Sequence, residues 1–171
     1  MLPTPDAKRL APLLLFAALG AGCGKDSRAA TQGKAEAAPA RADCGHAFCG
    51  DNFFVDMEPG PACSVGATCT STLTLVAVGA FHINDEYPYK FKAEDAPGLE
   101  FLGTDGAGKN VFSKIASDWR KKDEKTGTMN VKWRPTSKGD KTFGGIFKLS
   151  VCSAQSCQLD QASLQATVAV R

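Results

Sequence analysis

The 171-residue chain carries 20 Lys and Arg against 18 Asp and Glu, a formal net charge of +2 at pH 7. A balance so near neutral excludes electrostatic capture of nucleic acid or of an anionic membrane surface, both of which need a basic patch; the run Arg120-Lys121-Lys122 is followed at once by Asp123 and Glu124. The length suits one domain with appendages, and seven cysteines make the redox compartment the first question.

Lys8-Arg9 precedes a 12-residue apolar run, Leu10 to Ala21, which ends in small residues directly before Cys23. A transmembrane helix needs about 20 apolar residues, so the run reads as a signal peptide over residues 1–22. Leu19-Gly20-Ala21-Gly22-Cys23 resembles the lipobox of bacterial lipoproteins, with the Leu one place further from the Cys than usual. That resemblance implies an acylated Cys23, a lipid anchor in the membrane, and a place in the bacterial cell envelope, facing the periplasm or the outer surface. Six cysteines then remain, an even number, in a compartment where disulfides persist.

Residues 23–43 hold nothing apolar larger than Ala after the Cys and read as a flexible tether reaching roughly 25 Å. Residues 44–69 form a cysteine-rich segment with Cys44, Cys49, Cys63 and Cys69 among Gly and Pro. Its expected state is disulfide-bonded, with three pairings open. A zinc site with His46 is the sharper alternative, but the gaps within each pair are wider than zinc motifs use. No Cys-x-x-Cys-His for haem attachment occurs, and no metal or cofactor is expected.

Residues 70–171 alternate apolar and polar side chains over Thr70–Val78, Tyr87–Ala93, Thr128–Arg134, Ile146–Cys152 and Ser163–Val170, with a short apolar run at Leu99–Leu102. Period-two alternation punctuated by Gly, Pro, Asp and Asn predicts an all-β, immunoglobulin-like antiparallel β-sandwich. Asn110–Lys122 is the one segment left open as a helix. Gly103 to Lys109 nearly spells a phosphate-binding loop, but Asn110 stands where the magnesium-binding hydroxyl belongs, so no nucleotide is expected. The two histidines, His46 and His82, have no nearby nucleophile, and a hydrolytic triad has no local support.

Cys152 and Cys157 lie four residues apart between two predicted strands, and can form either an inert hairpin staple or a working dithiol. Parity puts Cys152 with Lys148 and Ser150, away from the face of Phe147, Leu149 and Val151, where a partner could reach it. Gly79-Ala80-Phe81-His82-Ile83-Asn84, Tyr87-Pro88-Tyr89 and the stretch Phe147 to Cys157 resemble the N-terminal periplasmic domain of DsbD-type thiol:disulfide interchange proteins. The spacing departs from that family by one residue, and the prolines that follow its second Cys are absent. The resemblance implies an immunoglobulin-like domain whose Cys152 and Cys157 exchange electrons with envelope thiol–disulfide proteins, with Cys157 as the sulfur that meets partners. It implies too an aromatic cap over the pair, for which Phe81, Tyr87 and Tyr89 are the candidates. The alternative is a non-catalytic binding or structural module in which the pair is a staple.

Overall fold

Alternation along the chain becomes two facing sheets. In a computed structural model of the chain, which describes residues 44–171, eleven strands and no helix occur among the described residues. Sheet I runs β1(Phe48–Cys49), β2(Phe53–Glu58), β3(Cys69–Ala77), β9(Thr126–Pro135), β6(Leu99–Phe101), with β8(Trp119–Lys121) also on β9. Sheet II runs β11(Cys157–Val168), β10(Lys141–Cys152), β5(Lys90–Ala93), β7(Val111–Ser113), with β4(His82–Ile83) also on β10. Every pairing between these strands is antiparallel, as expected of an immunoglobulin-like sandwich. The expected signal peptide, the expected lipidation site Cys23 and the expected tether lie outside the described residues.

The core comes from the predicted parities. Leu73, Leu75 and Ala77 of β3, Met129, Val131 and Trp133 of β9, and Phe147, Leu149 and Val151 of β10 point inward and are buried. Polar groups that follow them inside are paired: Trp133 donates its indole N–H to Ser71 Oγ at 3.0 Å, and Ser71 Oγ donates to the Pro59 carbonyl at 2.8 Å. Such pairing removes the penalty of a bare buried donor, about 1–3 kcal/mol.

Two expectations are corrected. The boundary expected between residues 69 and 70 does not exist: β2, inside the cysteine-rich stretch, pairs with β3 from Phe53↔Ala77 to Glu58↔Thr72, and Phe53 and Val55 enter the core. Phe53-Phe54-Val55 thus supplies one strand of the main sheet, and the disulfides close loops at its ends, not a separate module. The segment left open as a helix is two short strands joined by a turn in which Ser117 has φ 64°. All three residues of β7 are buried, and the Asp118 carboxylate accepts the Ser113 N–H at 3.1 Å, a local bond that competes with helix formation.

Trp119, stacked on Tyr89 with ring centroids 4.1 Å apart, lies over Gly127, where any Cβ would collide with its indole ring. Gly127→Ala is therefore expected to displace Trp119 and cost about 1–3 kcal/mol of unfolding free energy, read as a lower urea midpoint with the slope unchanged.

Candidate functional site

β10 is paired along both of its edges. β11 covers one from Lys141↔Val168 to Cys152↔Cys157; β5 and then β4 share the other, which sets His82 opposite Cys152. At the hairpin tip the Ser153 N–H donates to the Ser156 carbonyl at 2.8 Å, and Ser153 Oγ accepts the N–H groups of Gln155 and Ser156 at 3.3 and 3.2 Å. This turn brings Cys152 and Cys157 directly across the ladder, Cα atoms 4.0 Å apart, joined as a disulfide.

Exposure across that bridge is unequal. Cys152 is buried, 7% exposed, whereas Cys157 is exposed together with Ala154, Gln155 and Ser156. The expectation that Cys152 could be reached by a partner is corrected. It stands apart from the core cluster, as parity requires, but the last residues of β10 are buried, Ser150 and Val151 completely. The accessible member is Cys157.

Two sets of bonds hold β4 in place over this end. The Tyr89 hydroxyl accepts the Asn84 N–H at 2.9 Å and donates to the Ser150 carbonyl at 2.6 Å, while Asn84 Nδ2 donates to Ser150 Oγ at 3.1 Å. Burial pushes the Tyr89 hydroxyl far above its ordinary pKa, and the charge of Asp85 adds to this, so it stays a donor through the physiological range. On the other side, Lys125 Nζ donates to the Gly79 carbonyl at 2.7 Å and also to the Phe81 carbonyl, and the Ile83 N–H donates to the Glu124 carbonyl at 2.8 Å. Lys125 is positioned by Asp123, whose carboxylate accepts the N–H groups of Lys125 and Thr126 at 2.7 and 2.8 Å and is held below the usual carboxylate range chiefly by the first of these.

The three aromatic candidates separate. Tyr89 is a core residue, 0% exposed, and as such is corrected as a cap; directly before β5, and on the parity of Phe91 and Ala93, it packs against Trp119 and Phe147. Tyr87 packs edge-on against Tyr89 at 5.2 Å and is half-buried, and Phe81, also half-buried, directly precedes β4. Lys125 carries no signal in the sequence and Asn84 only its place in the stretch Gly79 to Asn84, because their roles depend on contacts 44 and 66 residues away.

The other cysteines pair locally, Cys44 with Cys49 and Cys63 with Cys69, which settles the three open connectivities and leaves no thiolate among them. His46 stacks on Phe54 at 3.7 Å and its Nδ1 lies 2.7 Å from Asp56 Oδ2. The glycine-rich stretch Gly103–Asn110 is the connection from β6 to β7, closed by a 2.6 Å bond from the Gly103 N–H to the Lys109 carbonyl, with a strand after it and no helix.

No protein family model and no curated protein matches the chain. Among solved structures it is similar to AggA, the major subunit of aggregative adherence fimbriae type I from Escherichia coli, at 12% identity and TM-score 0.35, over 74% of this chain and 100% of that one. It is similar also to the ASH/PapD-like domain 7 of human CEP192, at 13% identity and TM-score 0.29, over 68% of this chain and 84% of that one.

Tyr89→Phe is expected to leave the Asn84 N–H and Ser150 carbonyl without their partner and to cost about 1–3 kcal/mol in urea unfolding. Because the folded value of Tyr89 lies above its unfolded value of 10.0, its contribution is full below pH 10 and is lost as pH rises beyond it. A plot of unfolding free energy against pH should fall above pH 10 in the wild type and less steeply in the variant. Lys125→Met should release the Gly79 and Phe81 carbonyls and speed thiol labelling at Cys152 after mild reduction; an unchanged rate would show that this clamp does not hold β4.

Proposed function

We propose that the chain is a lipid-anchored envelope protein whose Cys152–Cys157 bridge exchanges with thiols of partner proteins, with Cys157 as the attacked sulfur. The observation that carries the reading is the division of labour in exposure: one sulfur is presented at the tip of a rigid hairpin and the other is enclosed beside it. A thiolate of a partner dithiol attacks Cys157 Sγ, the Cys157–Cys152 bond breaks, and its electron pair leaves with Cys152. The partner's second thiolate then attacks its own sulfur in the mixed disulfide and releases Cys157. The partner is oxidised by two electrons and the bridge is reduced to two thiols; the reverse sequence reduces a partner disulfide. If the partner's second thiolate is slow, Cys152, held across the ladder, attacks Cys157 and restores the bridge, so unproductive mixed disulfides are cleared. Burial keeps Cys152 from alkylation and oxidation while it waits.

The ladder itself also supports an exchange role. β10 and β11 are already in register over twelve residue pairs, so a bridge between neighbours closes only a short loop, worth about 2 kcal/mol in chain entropy. The paired variant Cys152→Ser with Cys157→Ser should therefore keep the fold and lose no more than about 2 kcal/mol. The deciding measurement is the reduction potential of this pair in protein lacking residues 1–23. A value of about −180 to −250 mV is expected for an exchange partner. One below about −300 mV would identify a staple and leave the non-catalytic binding module as the function.

A further inference from the structure

Sheet edges are where a β-domain can be joined by another strand, and this domain treats its edges unequally. β1, β6 and β7, at three ends of the two sheets, are two or three residues long. The fourth end is β11, twelve residues long, paired one-to-one with β10 without a bulge from Cys157 to Val168. It contains no Pro, Lys or Arg, and its one charge is Asp160. Natural edges of such length are usually blunted by one of these devices.

The bonding direction of each residue follows from the turn. The Ser153 N–H bonds to the Ser156 carbonyl, so Cys152 and Cys157 are a non-hydrogen-bonded pair and bonding alternates from there. Gln158, Asp160, Ala162, Leu164, Ala166 and Val168 direct their backbone groups to β10. Beyond Cys157 at the tip, which faces outward too, Leu159, Gln161, Ser163, Gln165 and Thr167 direct theirs outward. The Glu94 N–H bonded to the Gly144 carbonyl, on the far edge of β10, fits the same alternation. All five outward residues are exposed, and none makes a further backbone bond among the described residues. Only the Gln161 N–H has a substitute, the Asp160 carboxylate at 2.7 Å.

We infer that the β11 edge pairs antiparallel with β11 of a second copy of this chain, about a two-fold axis at Ser163. A two-fold sets each residue against its mirror in the strand, and so is tolerated only where like charges do not meet. Here Ser163 faces Ser163, Gln161 faces Gln165, Leu159 faces Thr167, and Asp160 faces Ala166. Each of the five residues then donates one N–H and accepts one, and sheet II continues across both copies. Leu159, 67% exposed, gains a cross-strand methyl neighbour in Thr167. The inference is independent of the redox reading, since both sulfurs could be inert and the edge still pair.

The test uses the full chain, by sedimentation velocity and by amide hydrogen exchange across a concentration series. The expected result is a monomer–dimer equilibrium in which the five outward amides slow by at least about tenfold as dimer forms, while their inward neighbours are slow throughout. Ser163→Pro removes an outward N–H that bonds to nothing in the monomer, and Ser163→Lys sets two like charges face to face on the axis. Both should stay folded by circular dichroism and sediment as monomer. A chain monomeric at every concentration with the five amides in fast exchange overturns the inference. So does a dimer whose outward amides stay fast, which uses another surface, and so do slow outward amides in a chain that sediments as monomer, which would mean that the edge is covered within one chain.

Discussion

Most of what distinguishes this domain depends on β10 being bonded on both sides. A strand with neighbours on both edges has little slack: its twelve residues are locked in register with β11, and β5 and β4 hold Gly145 to Lys148 and Val151 to Cys152 on the opposite edge. That double pairing fixes the end of β10, at the rim of the sandwich, beside β4 and the Asn84 that follows it. On the face that alternation assigns to solvent, Lys148 is bonded on both edges too and stays exposed, whereas Ser150, which carries the Asn84 amide on its hydroxyl, and Cys152 are buried; the returning strand holds the exposed member of the cysteine pair. Burial of Ser150 follows from the Asn84 side chain bonded to it more than from any hydrophobicity of its own.

The bonds that hold β4 are polar, and this is physically apt for a cover two residues long. Two residues cannot bury enough apolar area to dock by the hydrophobic effect alone. Instead, a tyrosine in the core reaches out to Asn84 and Ser150, and a lysine from the β8–β9 connection reaches over to the carbonyls of Gly79 and Phe81. Each bond is worth on the order of 1 kcal/mol, so the cover is firm at rest yet within reach of thermal opening.

Alternation made the strands legible. Leu73-Thr74-Leu75, Met129-Asn130-Val131 and Phe147-Lys148-Leu149 each show one buried and one solvated parity, and each is a strand with that parity inside. β2 escaped because Phe53-Phe54-Val55 lacks alternation in its apolar residues and sits among cysteines and glycines whose loop signals dominate. At the site, the pair and its outward parity could be read from Phe147 to Cys157, but the burial of Cys152 could not, since its surroundings include a strand 70 residues earlier. Tyr89 illustrates the same limit: the two rings of the Tyr-Pro-Tyr run share one parity, yet Tyr89, directly before β5, is buried in the core while Tyr87 stays half-buried at the rim.

The last residues of the chain lie against the Cys63–Cys69 loop. Val170 bridges Cys63 in parallel fashion, the Cys63 N–H bonds to the Ala169 carbonyl, and the Arg171 N–H bonds to the Cys63 carbonyl, each at 2.8–2.9 Å where hydrogen-bonded. β11 runs straight between this stitch and the hairpin tip, a distance of roughly 35–40 Å at the rise of an extended strand. A dye, bead or surface linker attached at Arg171 would therefore emerge at the opposite pole from Cys157. It offers a handle by which the domain can be immobilised or watched one molecule at a time while the hairpin tip stays clear.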